Sequence, residues 1–122
     1  MKFYICEHCG NIITKVKDKG VPVKCCGQNM TEIVPDTVDA AKEKHVPVVQ
    51  VEDGVVSVSV GSVAHPMVEE HFIEWICVET KQGMQIKYLA PAQEPAAKFA
   101  VSEDDEYVAT YAYCNLHGLW KA

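Results

Sequence analysis

Apolar positions along the chain are sparse and scattered before residue 46 and dense after it. The first 36 residues hold only short runs, FYIC (3–6), NIITKVK (11–17) and VPVKC (21–25). Turn signals separate them at Cys9-Gly10, Asp18–Gly20 and Cys26-Gly27. They read as short strands with too little apolar surface to fold alone, so a unit of this size needs a metal or a partner chain. VPDTVDAAKEKH (34–45) is polar and Ala-containing, and reads as a linker able to hold one helical turn capped by Asp36 or Thr37.

From Val46 onward the pattern is that of strands. VPVVQVE (46–52) and VVSVSV (55–60) flank Asp53-Gly54, a two-residue hairpin turn, and the second run alternates with period two. HFIEWICVE (71–79) is almost continuously apolar, as a strand buried on both faces should be. MQIKYLA (84–90) follows a Gln82-Gly83 turn, and AKFAV (97–101) and YVATYAY (107–113) bring the count to at least six strands. Short strands parted by turns, with no amphipathic helix and no repeat, predict a mostly β chain. We expect a small metal-bound domain over 1–36 and an antiparallel β-sandwich over 37–122.

Composition narrows the function. The 122 residues are 48% hydrophobic and carry 17 acidic against 11 basic side chains, a net charge of −6. This argues against nucleic-acid or anionic-membrane partners, and an anionic substrate would need a local patch of positive charge. No run approaches the roughly 20 apolar residues of a membrane span. Cysteines arrive before any signal-peptide core could form, which points to the cytoplasm. There, six cysteines are metal ligands or thiols rather than a disulfide framework.

Four of the six make a first candidate site. CEHC (6–9) is a C-x2-C closed by Gly10, and the adjacent pair Cys25-Cys26 is again followed by glycine. Four sulfurs suit a closed tetrahedral centre of zinc or iron. Neighbouring cysteines point to opposite sides of an extended backbone, so both can reach one metal only if the chain twists between them. The alternative is two unrelated thiol pairs, or a disulfide within Cys25-Cys26. His8 reads as an exposed spacer.

The remaining histidines, His45, His65, His71 and His117, stand at predicted strand ends or in loops, where a sandwich can gather its edges around one point. His45 precedes VPVVQ, His65 lies in SVAHPM, His71 opens the apolar strand, and His117 follows Cys114 in YCNLHG. Four imidazoles and a thiolate are too many ligands for a structural zinc tetrahedron. They suit iron or copper, and the number of histidines argues against blue copper. Such a site would be square pyramidal, with one position open to a small molecule and one-electron chemistry there.

CEHCGNI with VKCCGQ, then AAKEKHVPV, VGSVAHPM, EEHFIEW and YCNLHGLWKA, is similar in order and spacing to desulfoferrodoxin, the two-iron superoxide reductase family. The resemblance covers essentially the whole chain. It implies a desulforedoxin-like domain with iron on Cys6, Cys9, Cys25 and Cys26. It also implies an immunoglobulin-like sandwich whose iron has His45, His65, His71 and His117 around it and Cys114 on the axis. The implied reaction is one-electron reduction of superoxide to hydrogen peroxide, with a rubredoxin-like electron donor, in a homodimer. Lys44 resembles the family lysine that draws superoxide in, and Glu43 the glutamate that helps peroxide leave. Two departures stand out: the start is a few residues short, and Cys77 occurs where no cysteine is expected. Cys77 reads as a small buried apolar residue. The competing readings are a non-catalytic iron electron-transfer protein, a zinc-stabilised interaction module and a superoxide dismutase.

Overall fold

In the computed structural model, which describes all 122 residues, the chain divides into one unit at Met1–Val34 and a second at Pro35–Ala122. In the first unit, β1 (Phe3–Ile5) pairs antiparallel with β2 (Ile12–Thr14), while β3 (Lys24–Cys25) and β4 (Gln28–Asn29) form a minimal hairpin. A further strand, β5 (Thr31–Ile33), lies on the other side of β1. Two of the expected strands are shorter than predicted. Val16 and Val21 are exposed, and Pro22 has no N–H to give a ladder. The strands β4 and β5 were not anticipated, because QN and TEI offer no apolar run. Only Phe3 and Cys6 of this unit belong to the buried hydrophobic set, so its side-chain core is very small.

The second unit begins with the linker and its single helical turn, α1 (Lys42–His45). The cap differs from expectation. Ala41 holds the N-cap position and no side chain caps the turn. Asp36 instead ties the linker to the sandwich: its carboxylate accepts the Lys121 N–H at 3.0 Å, and its own N–H donates to the Leu119 carbonyl at 3.0 Å.

Seven strands follow: β6 (Pro47–Glu52), β7 (Val55–Val60), β8 (Ile73–Thr80), β9 (Gly83–Tyr88), β10 (Ala96–Ala100), β11 (Tyr107–Cys114) and β12 (Gly118–Lys121). They form two antiparallel sheets in the orders β10-β7-β6 and β12-β11-β8-β9, an immunoglobulin-like three-on-four arrangement. Alternation places Val56, Val58 and Val60 of β7 against Ile73, Ile76 and Val78 of β8, with Phe99, Ala112 and Cys114 in the same cluster. Each fully buried aliphatic or aromatic side chain contributes about 1.5–3 kcal/mol. The other face of β8 is buried as well. Trp75 stacks on Tyr113 at 5.5 Å and Cys77 stands opposite Tyr111. Burial pushes the Cys77 thiol up to about 12, which makes it an inert packing group.

Strand β12 was not anticipated: GLWK is only four residues long and directly follows a turn. Its presence puts His117 in the β11–β12 turn, and His45 closes α1 just before β6. No helix is long and apolar enough to cross a membrane.

Candidate metal centres

The four sulfurs of Cys6, Cys9, Cys25 and Cys26 lie within 4.8 Å of one another. Backbone hydrogen bonds shape the first pair. The Gly10 N–H donates to the Cys6 carbonyl at 2.9 Å, and the Cys9 N–H donates to the Cys6 sulfur at 3.4 Å. The second pair is resolved by the turn between β3 and β4. Cys25 and Gln28 are paired, so Cys26 and Gly27 are the two turn residues, at φ 52° and 73°. Two consecutive left-handed residues supply the twist that adjacent cysteines need, and glycine at the second carries no steric cost there. No disulfide joins them; all six cysteines are free.

Cys9 and Cys25 sulfurs stand 3.6 Å apart, close to the ~3.8 Å edge of a tetrahedron with metal–sulfur bonds of about 2.3 Å. The N–H of Cys9 pulls the Cys6 thiol down to about 6. Shared hydrogen bonds with Cys9 raise Cys25 and push Cys26 up to about 12. Sulfurs this close cannot all ionise beside one another unless a cation stands between them. The Asn11 side-chain amide adds a donor to the Cys25 sulfur at 3.7 Å. His8 is exposed and outside the cluster.

The second cluster is assembled from five separate places in the sandwich unit. His45 ends α1, His65 lies in the loop after β7, and His71 sits just before β8, held by a reciprocal backbone bridge with Val68. Cys114 ends β11, and His117 lies in the turn that follows. The ligand atoms of His45, His65, His71 and Cys114 are mutually within 4.8 Å. His117 joins them through Nδ1, which is 3.2 Å from Nε2 of His45 and 3.8 Å from the Cys114 sulfur.

The imidazoles form a square. Ring centroids are 4.7 Å apart for His45–His65, 4.6 Å for His65–His71, 5.0 Å for His71–His117 and 5.0 Å for His117–His45. Each neighbouring pair is edge-on, at 76–90°. His45 and His71 are 6.5 Å apart and only 31° from parallel, which is the diagonal of that square. Adjacent inward nitrogens, 3.2 Å apart for both His45–His65 and His45–His117, match the ~3.0 Å edge expected around a metal with bonds of about 2.1 Å.

The protonation pattern suits ligation. The Nδ1–H of His45 donates to the Ala41 carbonyl at 2.7 Å, and that of His65 to the Pro66 carbonyl at 2.7 Å. Both rings are thereby fixed with the Nε2 lone pair inward. Burial lowers the pKa of His45 and His71 and takes His65 down to about 4, so the rings are neutral donors at pH 7. The Nε2 of His71 is buried with no hydrogen-bond partner, an orphan that a metal would satisfy. Burial raises the Cys114 thiol, while the N–H groups of Leu116 and His117 act to lower it. A cation at the centre of the square would complete the ionisation those N–H groups favour. The donor set, four imidazole nitrogens and one sulfur, fits iron.

Glu43 and Lys44 lie on α1 beside this cluster with exposed side chains. Their charges reach it. Glu43 favours protonation of His45 and Lys44 disfavours that of His71, in each case a smaller effect than burial. Sequence reasoning missed three supporting residues: Trp120, which packs on His45; Asn115, which binds the backbone around His71; and Asn11 at the first centre. None carries a metal-ligand signature, and only adjacency to Cys114 could have drawn attention to Asn115.

A family model described as desulfoferrodoxin matches residues 37–122. A desulfoferrodoxin homologue of Archaeoglobus fulgidus is 48% identical over 122 residues, covering 100% of this chain and 96% of that protein. The crystal structure of the superoxide reductase from Treponema pallidum superposes with a TM-score of 0.83 at 40% identity, over 99% of this chain and 97% of that one. A one-iron superoxide reductase from Giardia intestinalis superposes with a TM-score of 0.56 at 34% identity, covering 66% of this chain and 96% of that one.

Proposed function

We propose, from the premise that this chain belongs to the desulfoferrodoxin family, that it is a superoxide reductase. Its two clusters are the two iron sites of the family. One has four thiolates, from Cys6, Cys9, Cys25 and Cys26, and the other has four imidazoles and a thiolate, from His45, His65, His71, His117 and Cys114. The first belongs to an iron domain at 1–36 and the second to a catalytic sandwich at 37–122. The observation that carries the reading is the square of four imidazoles above a fully buried thiolate.

Iron held by His45, His65, His71, His117 and Cys114 would supply one-electron chemistry at this site, with the thiolate as its electron-rich donor. The chain's own groups do the rest. Cys114 is rooted in the core through β11, so sulfur caps the inner side of the square. His71 and His117 are only half-buried, and small molecules approach from the outer side. Lys44 offers the local positive charge that an anion needs on a protein of net charge −6. Superoxide takes up one electron and two protons to give hydrogen peroxide. Water held between Lys44 and Glu43 delivers the protons, and the Glu43 carboxylate assists departure of the product. A rubredoxin-like donor returns the electron, and the chain works as a cytoplasmic homodimer without nucleic-acid or membrane partners.

The test combines metal analysis, visible spectra of the reduced and oxidised protein, and rapid mixing with superoxide. Two irons, two chromophores, and loss of superoxide with oxidation of one ferrous centre and no dioxygen release are expected. A colourless zinc protein would sink the reading. So would a second centre indifferent to superoxide, azide and cyanide.

A further inference from the structure

Where β11 meets β8, the pairing slips. Tyr113 is opposite Trp75 but Cys114 is opposite Ile73, so one step on β11 spans two on β8. Strand β8 starts at Ile73, and the regular ladder ends just short of His71. Asn115 takes over there. Its N–H donates to the Phe72 carbonyl at 3.2 Å, its side-chain oxygen accepts the Phe72 N–H at 3.0 Å, and its side-chain NH2 donates to the Glu70 carbonyl at 3.1 Å.

The Glu70 carbonyl and the Phe72 N–H belong to the two peptide groups on either side of His71. One planar amide therefore grips both, using a donor and an acceptor that only an amide side chain carries together. The backbone N–H and carbonyl of His71 are occupied by Val68, at 3.0 and 3.1 Å. Rotation of the His71 backbone is thus restrained at four points, two of them on Asn115. Asn115 is also the residue next to Cys114, so a single residue joins the axial sulfur to one corner of the square.

We propose that Asn115 is a positioning residue that fixes the His71 imidazole relative to the Cys114 sulfur and so sets the ligand field and iron retention of the second centre. This rests on the reading of that centre as an iron site of four imidazoles and one thiolate. Asn115→Leu keeps the branched shape and number of heavy atoms, in a somewhat larger side chain, and removes both side-chain hydrogen bonds. Asn115→Asp keeps the acceptor for Phe72 and turns a lone pair toward the Glu70 carbonyl.

The experiment uses the two-iron protein and records the thiolate-to-iron absorption band, the EPR signal of the oxidised second centre, and the rate of iron loss to a chelator. Asn115→Leu should shift the band and the EPR signal and weaken iron retention about tenfold, the usual scale for an outer partner of a metal ligand. Asn115→Asp should lie between it and the wild type, and the first-centre spectrum should be unchanged in both. If Asn115→Leu does not fold, Asn115→Asp decides alone. Wild-type band, EPR signal and retention in the folded variants overturn the proposal. A wild-type protein with no second-centre band at all overturns the iron reading, and the Asn115 role with it.

Discussion

The indole of Trp120 lies on the imidazole of His45, with centroids 4.9 Å apart and planes 29° from parallel, and its N–H donates to the His117 carbonyl at 3.0 Å. One buried side chain of β12 thus holds two ligands that are 72 residues apart in sequence. Trp120→Phe keeps part of the stack and loses the hydrogen bond. It should destabilise the sandwich by about 1–2 kcal/mol in urea unfolding, combining a lost hydrogen bond with a small cavity. Iron should leave the second centre faster than in wild type, and the first centre should be unaffected. Equal retention at the second centre would leave Trp120 a packing residue only.

Gly61 has no room for a side chain. A Cβ there would stand 2.6 Å from the Glu43 carbonyl oxygen and 2.9 Å from that of Val46, both backbone atoms that cannot rotate away. The same Glu43 carbonyl accepts the Val63 N–H at 2.9 Å and the Ser62 hydroxyl at 3.2 Å. The loop that carries His65 therefore grips the turn that carries Glu43, Lys44 and His45. Gly61→Ala should cost about 1–3 kcal/mol of stability, as overpacking does. It should also slow the reaction with superoxide by displacing Lys44 and His45 together. Stopped-flow traces at wild-type rate would show that the turn tolerates the shift.

Cys114→Ser tests whether this sulfur ligates the second iron. The buried position, 0% exposed, accepts the smaller oxygen with little change in packing, but a serine hydroxyl ionises far less readily than a thiol and has no sulfur to give a sulfur-to-iron band. The thiolate-to-iron band of the second centre should vanish while the first-centre spectrum persists. A band that survives would mean that another sulfur, or none, ligates this iron.

These predictions also mark what could be read in the sequence. All nine cluster residues carry metal-ligand chemistry in their side chains, and Cys6, Cys9, Cys25 and Cys26 fall within one short window. The alternation of VVSVSV and the continuous run of IEWICV likewise announce strands, because side-chain period and burial are written directly into residue type. What was not legible depends on backbone geometry. The turn at Cys26-Gly27 and a helical turn within 34–45 were announced by residue type, but the positive φ of Cys26, the end of α1 at His45, and β12 were not. Asp36, expected as a helix cap, satisfies the end of β12 instead, since its partner Lys121 is 85 positions away. Trp120 and Asn115 were invisible for the same reason: their importance lies in what they touch.

The first unit should depend on its metal. Phe3 and Cys6 are its only members of the buried hydrophobic set, far short of what a 34-residue unit needs to offset chain entropy. A structural metal on four thiolates contributes on the order of 10 kcal/mol of folding free energy. Cys9→Ser should abolish the first-centre colour and remove amide-exchange protection from β1, β2 and β5. The amides of β7, β8 and β11, built on their own core, should keep theirs. Protection retained throughout residues 1–34 of the variant would show that the metal does not hold this unit.

Lys44→Ile isolates the steering charge. The substitution removes one positive charge, taking the net charge from −6 to −7, and it lies on the exposed face of α1 where packing is little affected. With Lys44 present, the local attraction for superoxide should be weakened by added salt, because the Debye length falls to about 10 Å at 0.1 M. In the variant only the repulsive field of the acidic surface remains, so the rate should drop about tenfold at low salt, within the range of electrostatic steering. Its salt dependence should flatten or change sign, since screening now relieves repulsion instead of attraction. Second-order rate constants measured from 0.01 to 0.5 M ionic strength, roughly a sevenfold span in Debye length, separate these cases. Identical rates and slopes for the two proteins would remove Lys44 from the encounter step and leave the approach to the iron to diffusion alone.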